Sequence, residues 1–169
     1  MALRKILTYP EPVLRQKAKK VTVFDKKLKQ LAADMGETMY DAPGVGLAAN
    51  QIGVLKQIIV VDVSKSEEEK KFITLINPVI SEGEGSVTGE EGCLSVIEYE
   101  AKVKRFQKIH VTAQDFDGKP ITFDAEDRFA RIIQHEVDHL HGKLFIDHLS
   151  ALKRGLYKKK LKKLLKNRL

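Results

Sequence analysis

Residues Gln134-His135-Glu136-Val137-Asp138-His139 contain the pattern His-Glu-x-x-His. On a helix, side chains four residues apart stand one turn apart on one face. His135 and His139 can therefore reach a single metal ion, with Glu136 projecting beside them where a carboxylate can take a proton from water. The chemistry this arrangement suits is metal-assisted hydrolysis. The plainer reading of Glu136 is a surface partner for a base. Against apolar neighbours, however, its pKa would rise, fitting it to accept and return a proton near neutral pH.

Two imidazoles need at least one further protein ligand. His141 follows His139 by two residues and points away around the helix, while Asp147 and His148 lie beyond the helix end. Phe145, where the metzincin pattern places its third ligand, cannot bind a metal, and no Asp or Glu follows Asp147 to supply one from a later helix. Cys93 remains. Its thiolate with two imidazoles suits iron(II), zinc, nickel or cobalt and leaves a coordination position open, whereas a structural zinc site would use four protein ligands. Cys93 is also the only cysteine, so no intrachain disulfide forms and a reducing compartment is expected.

The elements that hold these groups follow from periodicity. Phe129, Ile132, Ile133, Val137 and Leu140 recur at helical spacing around the motif, with Asp124 as expected cap and Gly142 as expected stop. A second helix, capped by Asp25, buries Leu28, Leu31, Ala32, Met35 and Met39. Between them, Gln57–Val63 and Phe72–Ile80 read as strands, the latter bent or placed at an edge by Asn77-Pro78. Ile109–Ala113 and Pro120–Phe123 flank Asp117-Gly118, a hairpin signal; His110 there reads as structural. Ser64–Lys71 reads as a solvated loop, and Tyr9-Pro10-Glu11-Pro12 as an extended or turning arm. Gly44-Val45-Gly46-Leu47-Ala48-Ala49-Asn50-Gln51 reads as a tight turn whose small residues let backbone run close to a neighbour. Gln51 is there either a surface amide or a donor to an oxygen that becomes negative during reaction.

The 169 residues suit one domain, and no apolar run approaches the ~20 residues of a membrane span. With no secretion signal at the start, a soluble cytoplasmic protein is expected. The charge of +7 is unevenly placed: residues 150–169 hold nine Lys or Arg and no acid, so the rest carries 21 bases against 23 acids. Ser150 caps an expected amphipathic helix with Leu152, Leu156, Leu161, Leu164 and Leu165 among the lysines. This helix either packs its leucines on the domain or docks on an anionic surface such as RNA.

Three stretches together resemble the peptide deformylase family: Gly44–Gln51, Glu91-Gly92-Cys93-Leu94-Ser95 and Gln134–His139, in the family's order and approximate spacing. The arm Ile6–Arg15 is similar too. The resemblance implies an α+β fold, with antiparallel or mixed β-sheets around the metal-bearing helix, and divides the chain into a catalytic domain, 1–149, and a basic helix, 150–169. It implies that Cys93, His135 and His139 hold a divalent metal, iron(II) by family expectation with zinc, nickel or cobalt as substitutes. The implied substrates are N-formylmethionyl peptides, deformylated with Glu136 as acid–base group, Gln51 and the Leu94 backbone N–H as oxyanion donors, and Gly46 as a peptide contact. Docking on rRNA through the terminal helix is a separate expectation, and no membrane partner is expected. One departure is visible. The family commonly has proline where this chain has Ile97 and often a basic residue within Glu98-Tyr99-Glu100, which changes the shape and charge of the cleft rim. Two rivals remain open: a zinc peptidase built on the same helix, and an RNA-binding module whose tail does the work.

Overall fold

The computed structural model describes residues 2–167. Helix α1 spans Lys26–Asp41, and Asp25 caps it by accepting from the Leu28 N–H at 3.0 Å, as expected. Strands β1 (Gly46–Ala48), β2 (Ile58–Asp62) and β3 (Phe72–Glu84) are followed by β4 (Val87–Cys93), β5 (Val96–Arg105), β6 (Lys108–Gln114) and β7 (Pro120–Glu126). Helices α2 (Asp127–Leu140) and α3 (Ala151–Asn167) complete the chain; Arg168 and Leu169, part of the expected basic helix, lie outside the described residues. Five strands form one antiparallel sheet in the order β1-β2-β3-β6-β7, and β4–β5 is a separate antiparallel hairpin. The expected α+β architecture is thus present.

Alternation along β2 explains the layering. Ile59 and Val61 face the cluster containing Ile133, Val137 and Leu140 of α2, whereas Ile58 and Val60 face Leu28, Leu31, Met35 and Met39 of α1. A strand with apolar residues on both faces needs a cover on each. The sheet therefore sits between the two helices, and the metal-motif helix packs its apolar side on one face of it. A third cluster joins β5 to the segment after α2 and to α3, through Val96, Val103, Phe145, Leu149, Tyr157 and Leu161.

Four local expectations are corrected or narrowed. Asp124 does not cap α2: β7 runs on to Glu126 because Ala125 is buried in the core, and Asp124 instead faces His110 across the β6–β7 register, Oδ1 to Nδ1 2.8 Å. Asn77-Pro78 marks a bulge inside a central strand rather than an edge. Asn77 takes φ 51°, and its amide side chain binds the Val21 N–H and C=O at 2.7 and 2.9 Å, tethering the N-terminal arm. Gly44–Gln51 is not a simple turn but contains β1 and a 3-10 turn, Ala49–Ile52. In α3 the leucine stripe as a whole does not pack down: Leu152 and Leu156 are 73% and 57% exposed, and the attachment is made by Tyr157 and Leu161.

Candidate active site

Cys93 ends β4, while His135 and His139 lie one turn apart on α2 with ring centroids 5.1 Å apart. The ligand atoms of all three lie within 4.8 Å of one another, and Cys93 Sγ is 3.4 Å from His139 Nε2. Among the described residues this is the one cluster of three or more such groups that can hold a metal. Two imidazole nitrogens and a sulfur at this separation suit a soft or borderline divalent ion. The excluded candidates are engaged elsewhere: Asp147 pairs with Arg15 at 2.6 Å, His148 contacts Asp138 at 2.9 Å, and Phe145 stacks on His135 at 6.0 Å.

Behind His135 stands a group to which sequence reasoning gave no role. Glu91 Oε1 accepts from His135 Nδ1 at 2.9 Å, which directs the other ring nitrogen toward Cys93. A carboxylate behind a ligating histidine fixes its tautomer and raises its basicity. Glu91 is itself clamped by Arg105, with two bonds of 2.9 Å, and by Arg131 at 2.6 Å. These partners overcome the burial penalty and hold Glu91 well below the ordinary carboxylate range. Arg105 continues to Asp138 at 2.7 Å. Glu91 lies within the Cys93 motif, which was its only signal; Arg105 and Arg131 carried none.

Glu136 is 5% exposed, and its Oε1 has no hydrogen-bond partner. Burial raises its pKa from 4.5 to about 7, partly opposed by His135. Burial would by itself depress His135, but Glu136, Cys93 and Glu91 carry it well above its ordinary value; His139, buried beside a charged His135, falls well below. A metal held by both rings would compete with the proton for the same nitrogens. The small residues of the first motif now have a reason. A Cβ on Gly46 would lie 2.5 Å from Glu136 Oε2, and one on Gly44 would lie 2.7 Å from Leu94 Cδ1. β1 therefore runs directly against the acid.

Gln51 is buried at 1% exposure, not a surface amide. Its Oε1 accepts from the Ala48 N–H at 2.9 Å, which orients Nε2 toward Ser95 Oγ at 3.0 Å and Cys93 Sγ at 3.6 Å. Leu94 follows Cys93 in the β4–β5 turn, and Gly46, Gln51, Cys93, Leu94, His135 and Glu136 all line one cleft of about 1010 Å³. The structure thus brings every expected site residue together. An acid, a neutral amide donor and a metal site on one cleft can hydrolyse an amide.

The polypeptide deformylase family model matches residues 3–155. A peptide deformylase of Desulfotalea psychrophila is 56% identical over 164 residues, covering 96% of this chain and 97% of that protein. One from Syntrophobacter fumaroxidans is 50% identical over 166 residues, 98% of each. The crystal structure of a peptide deformylase from Legionella pneumophila superposes with TM-score 0.90 at 46% identity over 99% of this chain and 98% of that one. That of Ehrlichia chaffeensis peptide deformylase in complex with actinonin does so with TM-score 0.88 at 36% identity over 96% and 98%. A linear amide is the bond this cleft is equipped to break, and the chain belongs to the peptide deformylase family, hydrolases that remove the N-formyl group from nascent polypeptides.

Proposed function

We propose that Cys93, His135 and His139 hold one divalent metal, iron(II) by family expectation, with zinc, nickel and cobalt also compatible with the donor set. When bound, the metal supplies Lewis acidity, polarising a carbonyl and acidifying a water. The chain's own groups then divide the work. Glu136 takes a proton from the attacking water, whose oxygen bonds to the formyl carbon. Gln51 Nε2 and the Leu94 backbone N–H face the negative charge that develops on the former carbonyl oxygen. Glu136 returns the proton to the methionine nitrogen as the C–N bond breaks, releasing formate and a free amine. Gly46 leaves backbone free to contact the peptide beside Glu136. Glu91 keeps the His135 ring in register.

The observation that carries this reading is the orphaned, buried Glu136 carboxylate beside the Cys-His-His cluster. Formate release from formyl-Met-Ala-Ser, followed without oxygen for wild type and Glu136→Ala, tests it. The variant should lose about 10²- to 10⁴-fold in kcat; undiminished release would remove Glu136 from the chemistry. On this reading residues 1–149 form the catalytic domain and 150–169 a basic C-terminal segment, containing α3, that docks on rRNA phosphate in the cytoplasm. The nine basic residues of that segment, with no acid among them, support it. No described helix is long and apolar enough to cross a membrane.

A further inference from the structure

The cleft carries a charge opposite to that of the molecule. Its lining includes six acids against two arginines, on a chain of net charge +7. Two of those acids have assigned tasks, Glu91 behind His135 and Glu136 at the reacting centre, and Arg131 is bound to Glu91. Glu98 and Glu100 have none. They stand two residues apart on β5, Glu98 in the stretch where its pairing with β4 is irregular and Glu100 opposite Gly92, both exposed and both on the cleft wall. Among the described residues neither carboxylate has an ion-pair partner within 4.0 Å.

Their placement is built rather than incidental. Glu100 pairs with Gly92, the residue before the ligand Cys93, and its Cγ would lie 3.3 Å from a Cβ there. Tyr99 between them stacks on Tyr157 with centroids 4.5 Å apart, pinning β5 to α3. Tyr157 donates to the Ile97 carbonyl at 3.1 Å and Lys160 to the Glu98 carbonyl at 2.6 Å, so α3 fixes the backbone of the rim and leaves its carboxylates free. The orphaned Glu136 Oε1 marks where the reacting group sits in the same cleft. An extended peptide rises ~3.3 Å per residue, and the Debye length is ~8 Å at physiological salt. Because Glu100 lies opposite Gly92, one residue from Cys93, a peptide leaving the reacting centre along this wall would meet the two carboxylates within its first few residues.

We propose that Glu98 and Glu100 are specificity-determining residues, which make this cleft favour formyl-methionyl peptides with Lys or Arg in the positions after methionine. The inference rests on the deformylase reading of the cleft. A cationic substrate gains from the acidic rim mainly during encounter and binding, so the preference appears in KM more than in kcat. Salt weakens it, because both rim groups are exposed.

The test compares kcat/KM for three C-terminally amidated peptides, formyl-Met-Lys-Lys, formyl-Met-Glu-Glu and formyl-Met-Ala-Ser, using the metal-loaded full chain. Wild type should favour the lysine peptide over the glutamate peptide by about ten-fold at low salt, falling toward parity at ~0.5 M salt. Glu98→Gln with Glu100→Gln should abolish the preference at low salt, whereas Glu98→Asp with Glu100→Asp should retain most of it. Equal wild-type rates on the two charged peptides, or a preference that survives the Gln substitutions, would overturn the inference while leaving deformylation intact. Absence of formate from all three peptides would instead overturn the deformylase reading, and the inference with it.

Discussion

Helices α2 and α3 are similar in length, 14 and 17 residues, but α2 is built far more deeply into the molecule. Eight of its side chains are buried, among them both imidazoles and the reacting carboxylate, while α3 buries two, Tyr157 and Leu161. Polar groups on α2 are held from several directions: Glu91 reaches His135 from β4, and Arg105 reaches Asp138 from β5. α3 packs Tyr157 and Leu161 on the third cluster, touches the rim of the cleft and otherwise presents lysines to water. Catalysis needs groups held in place by surrounding packing, whereas attraction to a charged surface needs charge more than fixed geometry. The two helices follow that division.

The frame around α2 depends most on Arg105. Arg105→Met leaves buried Glu91 and part-buried Asp138 with one arginine fewer between them. It should cost about 3–5 kcal/mol of stability and weaken metal binding roughly 10- to 100-fold, measured by urea unfolding and by competition with a chelator. A fully stable variant would show the frame around α2 to be ornamental. Gln51→Ala should lower kcat by about 10²- to 10³-fold with the fold retained; near-normal turnover would take Gln51 out of the oxyanion role.

Glu136→Gln sharpens the contrast by separating stability from activity. In the metal-free protein burial raises Glu136 from 4.5 to about 7, so the folded chain holds this proton more tightly than the unfolded one. The stability it contributes is full below the unfolded value and is lost as pH rises through about 7. Metal-stripped Glu136→Gln should therefore exceed wild type at pH 8 by on the order of 2–3 kcal/mol, with the gap closing toward pH 5. An identical pH dependence in urea titrations would mean that the carboxylate is not desolvated. The smallest effect belongs to α3. A chain ending at Ser150 loses the Tyr157 and Lys160 bonds to the rim but none of Gln51, Cys93, His135, Glu136 and His139, and should hydrolyse formyl-Met-Ala-Ser within about threefold of wild type, a loss below 1 kcal/mol. Its salt-sensitive association with ribosomes should disappear. Undiminished association, or none in the full chain, would count against docking.

What the sequence disclosed follows the same division. His135, Glu136 and His139 share one helix, so their spacing alone placed them on one face, and Cys93 could be reached by excluding every later ligand. Gln51 could not be settled that way. Its contacts to Cys93 and Ser95 span 42 and 44 residues and depend on how β1 meets the hairpin. Glu91, Arg105 and Arg131 were silent for a related reason, since charged residues read as solvated until the fold brings them under cover. Asp124 misled because a capping residue type also serves at the end of a strand. In α3 the leucines drew attention from Tyr157, whose burial depends on the stack with Tyr99.

Gly46 narrows what inheritance can try at this site. Every single-base change that alters a glycine codon yields either a stop or a residue with a Cβ, and that carbon would fall 2.5 Å from a Glu136 oxygen. No graded series of substitutions leads away from glycine here. The first step already displaces the acid, so the position can drift only if β1 or α2 shifts with it.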